Sequence, residues 1–156
     1  MIAVLQRIKK GSVTVDGEVI SFAAEGLCVL LGVGKGDTEA DAEALARKIV
    51  NVRVFSDEND KMNLSLKDID GEMLIVSNFT LLAAYKKGNR PDYMNAAQPA
   101  EAERLYQYFI GLCEKEIRHV GCGRFGAHME IDLQNNGPVT IVMDSKVLLP
   151  GTNGSN

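Results

Sequence analysis

The sequence predicts an α+β domain, mostly antiparallel sheet with two main helices packed outside it. Three observations lead there. A strong hairpin signal stands near the start, unbroken apolar runs of strand length follow, and two segments carry apolar residues at helical spacing. At 156 residues the chain reads as one domain, long enough to bury about two thirds of its unfolded surface.

Met1-Ile2-Ala3-Val4-Leu5-Gln6-Arg7 lacks the charged-then-apolar layout of a signal peptide and reads as a first strand. Ser12-Val13-Thr14-Val15 and Glu18-Val19-Ile20 flank Asp16-Gly17, a pair that accepts the positive φ angles of a tight turn. Residues 27–33 are continuously apolar and predict a fully buried strand. The following Gly32-Val33-Gly34-Lys35-Gly36-Asp37 has GxGxG spacing and lacks the Gly-Lys-Ser/Thr ending of a phosphate loop. With no repeated βαβ pattern after it, it reads as a strand-to-helix turn. Asp37 or Thr38 can cap the first helix, whose Ala42, Leu45, Ala46, Ile49 and Val50 share one face.

Residues 52–55 predict a short strand. The acidic turn after it, Ser56-Asp57-Glu58-Asn59-Asp60, has neither the sixth-position Gly nor the twelfth-position Glu of a calcium loop in register. Residues 72–78 return as a strand. Pro99 suits the first turn of the second helix, with Leu105, Phe109 and Leu112 facing the core and Glu116 continuing the spacing. Strands are expected at 129–133 and 139–143, joined by a tight connection at Asn135-Asn136-Gly137-Pro138. An X-Pro bond is cis in only about 5–6% of folded cases, so residue type predicts trans. Residues 1–149 form the domain, and the polar, Gly-rich residues 150–156 a flexible tail.

Composition narrows the function. No apolar run reaches the roughly 18 residues of a membrane span, so the chain is expected to be cytoplasmic and free of membrane. Cys28, Cys113 and Cys122 form no CxxC pair, and the first two read as reduced structural thiols. A net charge of −4 argues against wrapping a long stretch of nucleic acid, hence against DNA. Lys86, Lys87 and Arg90 form a local basic cluster that fits either a solvated loop or contacts to a few phosphates.

Usual hydrolytic equipment is missing: there is no Gly-x-Ser-x-Gly elbow and no HExxH zinc motif. Cys122 can be drawn as a dyad with His119 or His128, but a working dyad also needs an orienting group and an oxyanion site. A metal site from these residues is weaker still, and no metal or organic cofactor is expected. Two other segments place small polar groups where an apolar strand meets a turn, the usual place for ligand contacts. They are Ser77-Asn78-Phe79-Thr80-Leu81 and Asn135-Asn136-Gly137-Pro138-Val139-Thr140.

Together these two segments resemble the signature motifs of the D-aminoacyl-tRNA deacylases, and the resemblance runs from Met1 to about Asp144. It implies a curved, barrel-like pair of sheets and an obligate homodimer acting on the 3′ end of aminoacyl-tRNA. The implied reaction is hydrolysis of the D-aminoacyl ester, extending to mischarged glycyl-tRNA. Ser77, Asn78, Phe79 and Thr80 would hold the ester, with backbone N–H groups at Phe79 and Thr80 facing the oxyanion. The tRNA's own ribose hydroxyl would assist, so no side chain need be the nucleophile. Gly137-Pro138, implied to be cis, would reach into the partner's site, accept the substrate ammonium on its carbonyls and exclude L side chains. Arg7 would pin the partner's Gly-Pro, while Phe125 and Met129 would line a pocket for the terminal adenosine. Lys86, Lys87 and Arg90 would meet phosphates.

The chain departs from the family pattern at three positions. Asn78 stands for the usual Gln, His128 for the common Asp, and Asn136 for the Asp of Asn-Asp-Gly-Pro. The first departure admits a rival reading, a tRNA-binding module whose catalysis has lapsed. A third reading is a Cys122-dependent hydrolase of small esters or thioesters.

Overall fold

The computed structural model describes residues 1–149, so the expected tail at 150–156 lies outside the described residues. One long strand organises the fold. β1 (Ile2–Val15) turns at Asp16 and Gly17, whose φ angles are 51° and 81°, into β2 (Glu18–Ala23). The predicted hairpin is there, with a register shift between Val13 and Thr14. β3 (Gly26–Gly32) pairs antiparallel with the first half of β1, and β8 (Glu130–Asp144) pairs antiparallel with nearly all of it.

β3 is followed by α1 (Glu39–Asn51), capped by Thr38, whose N–H donates to the Asp41 carboxylate at 2.8 Å. The predicted strand at 52–55 shrinks to β4 (Phe55–Ser56), paired with β5 (Met62–Leu64) in a small ribbon. Val52 instead closes the helix, its N–H donating to Ile49 O. β6 (Glu72–Ser77) runs parallel to β3, and after α2 (Pro99–Glu114) the short β7 (Val120–Cys122) runs parallel to β6. The sheet is therefore mixed: the sequence missed two parallel crossovers, one through each helix, because neither leaves a repeated spacing. A single helical turn, α3 (Ser145–Leu148), ends the described chain.

The six-stranded sheet curls into a nearly closed barrel, its last gap lying between β2 and β7. His119 Nε2 lies 2.9 Å from Phe22 O across that gap. Alternation along each strand divides the core. Leu27, Val29, Leu31, Met73 and Ile75 face α1 and α2, meeting Leu45, Ile49, Leu105 and Phe109. Cys28, Leu74 and Val76 point inside the curl with Ile8, Val13 and Val15. A buried charged cluster ties the ends together. The Met1 ammonium lies 2.8 Å from Asp37, and Lys146 Nζ lies 3.1 Å from Asp37 and 2.8 Å from Asp41, which also accepts from Ser145 Oγ at 2.6 Å.

Candidate active site

β6 ends where the first motif begins. Asn78 N–H donates to Leu31 O at 2.8 Å, continuing the parallel ladder by one residue, and the chain then tightens into a 3-10 turn at Phe79–Leu82. Gly32 makes room for the turn: a β-carbon there would lie 3.0 Å from Asn78 O and 3.1 Å from Leu81 Cβ. Phe79 and Thr80 sit at the start of the turn, where helical backbone leaves its first N–H groups without a partner in the turn. The Thr80 hydroxyl donates to Asn78 Oδ1. Phe79 is 57% exposed, and its ring meets Tyr93 edge-on at 5.0 Å.

Beside the turn lies a cleft of about 470 Å³, bounded by Ser77, Asn78 and Phe79, by the start of α2, and by the loop carrying Phe125 and Met129. It is mostly apolar with a few polar groups at the rim, the usual composition of a small-ligand site. Buried Tyr106 forms part of its wall. Its hydroxyl donates to Ile75 O at 2.9 Å, its ring lies 5.9 Å from Phe125, and burial pushes its pKa up. Gly123 lets Met129 fold close, since a β-carbon there would come within 2.6 Å of the sulfur. The structure thus brings Ser77, Asn78, Phe79, Phe125 and Met129 around one cleft, with Thr80 next to it.

The second motif is not the connection that turn chemistry predicts. β8 runs through it as one strand, and its register on β1 jumps from Gln6↔Thr140 to Ile8↔Asn135. Residues 136–139 stand opposite Arg7 alone and loop out of the sheet, with Gly137 and Pro138 exposed. The Gly137-Pro138 peptide is cis, as the resemblance implies and against the expectation from residue type. Arg7 holds the loop of its own chain: Nε donates to Asn136 O at 2.8 Å and Nη1 to Val54 O at 2.6 Å. The resemblance implies that Arg7 meets the Gly-Pro of a partner; within the chain it holds the carbonyl next to its own. The loop does not line the cleft of its own chain.

Comparison with known proteins shows the family. The family model described as D-Tyr-tRNA(Tyr) deacylase matches residues 4–144. The chain belongs to that family. A D-aminoacyl-tRNA deacylase of Caldicellulosiruptor saccharolyticus is 55% identical over 146 residues, covering 94% of this chain and 98% of the relative. Its counterpart in Clostridium acetobutylicum is 47% identical with the same coverage. A solved structure titled "c-Myc DNA Unwinding Element Binding Protein" superposes with a TM-score of 0.88 at 44% identity, covering 92% of this chain and 98% of that one. A probable eukaryotic D-amino acid tRNA deacylase, 15% identical with a TM-score of 0.79, shares the fold.

Other expected residues of this deacylase-family chain fall outside the cleft. Lys86, Lys87 and Arg90 are exposed on the loop between the 3-10 turn and α2, whose neck is closed by paired bonds between Ala84 and Asp92. Neither histidine bonds to Cys122 among the described residues: His119 faces Phe22 O, and His128 is exposed. Burial, and secondly Glu114, pushes the Cys122 thiol up, away from the thiolate a nucleophile needs. Among the described residues no group of three His, Cys, Asp or Glu side chains could hold a metal ion. No helix among them is long and apolar enough to cross a membrane. Sequence reasoning missed Tyr93, Gln98 and Tyr106 as cleft residues. Tyr106 could have been found next to Leu105 and one turn before Phe109 on α2, but only as core; the other two carry no signal in the sequence.

Proposed function

We propose that the chain hydrolyses the ester of D-aminoacyl-tRNA, extending to mischarged glycyl-tRNA, as a homodimer without metal or organic cofactor. The observation that carries this reading is that an apolar cleft opens at Ser77–Phe79 while the exposed Gly137-Pro138 loop does not line it, as expected of a loop serving a second copy. The terminal adenosine fills the cleft against Phe125 and Met129. Backbone N–H groups of Phe79 and Thr80 hold the ester carbonyl, and losing one such donor typically costs roughly 10²–10³ in rate. Water adds to the carbonyl carbon, the bond to the ribose oxygen breaks, and that oxygen takes up a proton; the neighbouring ribose hydroxyl assists.

Gly137 and Pro138 from the partner copy supply carbonyl oxygens to the substrate ammonium and leave no space for an L side chain. Lys86, Lys87 and Arg90 meet tRNA phosphates. Asn78, one methylene shorter than the usual Gln, serves by bonding the Thr80 hydroxyl. The lapsed-catalysis reading has its only support in that same substitution. The DNA-binding title belongs to the similar structure, and the net charge of −4 gives it no support in this chain. A cytoplasmic location follows from the substrate. Thr80→Ala tests the mechanism: it should keep measurable activity, and complete loss in a folded, RNA-binding variant would make Thr80 the nucleophile.

A further inference from the structure

The neck of the Gly137-Pro138 loop is held by side chains where the strand ladder is interrupted. Val139 N–H donates to Asn135 Oδ1 at 3.1 Å, and Asn135 Nδ2 donates to Gln6 Oε1 at 2.5 Å. Asn135 therefore uses both ends of its carboxamide, one to close the loop on itself and one to fasten it to β1. Arg7 takes a separate point, the Asn136 carbonyl. Both Gln6 and Asn135 are half-buried, whereas the tip they support is exposed. The tip has no sheet partner of its own, so its direction is set at the neck.

We infer that Gln6 and Asn135 are positioning residues for chiral selection, fixing how far and in which direction Gly137-Pro138 projects. This rests on the proposed function, in which that loop excludes L side chains. Neither residue touches substrate. A D ester and its L counterpart differ in where one side chain points, so exclusion by backbone works only while the backbone cannot retreat. A misplacement of about 1 Å can change a rate by roughly 10²-fold.

The pair makes a demand that bulk stability does not. Gln6→Leu removes the acceptor and leaves Asn135 free to turn; Asn135→Leu removes both bonds. Gln6→Glu keeps an acceptor for Asn135 Nδ2. The experiment compares kcat/KM for D-tyrosyl-tRNA and L-tyrosyl-tRNA on the same samples, so that any loss of folded protein cancels from the ratio. The D-over-L ratio is expected to fall about three- to tenfold in Gln6→Leu, the worth of one hydrogen bond, and tenfold or more in Asn135→Leu. L-ester cleavage rises as D-ester cleavage falls, and Gln6→Glu stays near the native ratio. A ratio unchanged in both leucine variants, with the two rates falling in parallel or not at all, overturns this role and leaves the proposed function standing. A native chain with no preference for the D ester overturns the proposed function and this role with it.

Discussion

Replacing Gly137 by alanine tests whether the second motif acts by its shape. Gly137 has φ +143°, where an L residue is strained by about 1–3 kcal/mol. A β-carbon there would lie 2.8 Å from Val139 N, 2.9 Å from Val139 Cγ2 and 3.2 Å from Arg7 Nη2. Restoring the first contact to an ordinary 3.4 Å moves the backbone by about 0.6 Å. The residue is exposed and its loop has no ladder to break, so much of the strain relaxes and the stability loss falls at the low end. About 1 kcal/mol corresponds to a melting shift of roughly 2–4 °C in a domain of this size. The activity loss is larger: a displacement approaching 1 Å costs up to roughly 10²-fold in kcat/KM. Gly17→Ala is the control, since it has φ +81° with nothing within 4 Å of the added carbon. It should melt lower by a similar amount and cleave D-tyrosyl-tRNA at the native rate. Deacylation assays and thermal melts of both variants decide the matter. Gly137→Ala cleaving within about threefold of native, while melting like Gly17→Ala, would refute the reasoning.

The charged cluster at α1 predicts a pH dependence. Burial alone would raise the Asp41 carboxyl, but bonds from Lys146, Ser145 and Thr38 outweigh it and hold the carboxyl well below the usual range. A depressed folded pKa stabilises above the unfolded value of about 4 and is lost as pH falls below it, so melts should weaken on acidification. Asp41→Asn should flatten that acid limb and cost about 2–3 kcal/mol at neutral pH, read by chemical denaturation. Phe125→Ala removes a cleft wall and the partner of Tyr106, and should raise KM for D-tyrosyl-tRNA about tenfold with a smaller change in kcat. Cys122→Ser should leave deacylation within about threefold of native, whereas loss of activity with normal melting would revive the thiol mechanism.

Local chemistry made some elements legible and long-range pairing hid others. Asp16-Gly17 announces its hairpin because positive φ at two successive residues is a property of those residues. Pro99 and Thr38 mark helix starts for equally local reasons. Asn135-Asn136-Gly137-Pro138 has the same turn chemistry whether it joins two strands or loops out of one. Only the residue opposite decides, and Arg7 lies far away in sequence. β7 is too short to show a pattern, and the parallel pairing of β6 depends on both its neighbours. The two motifs were readable as a family signature, but the cleft that the first of them forms with α2 and the Phe125 loop was not. Phe79, Tyr93 and Phe125 meet there only after the barrel curls.

The most direct test of the account incubates the purified chain with D-tyrosyl-tRNA and L-tyrosyl-tRNA in parallel, with EDTA present, and follows loss of each ester. The account predicts rapid loss of the D ester alone, with the L ester decaying as in buffer. Equal cleavage of both esters, or of neither, would contradict it.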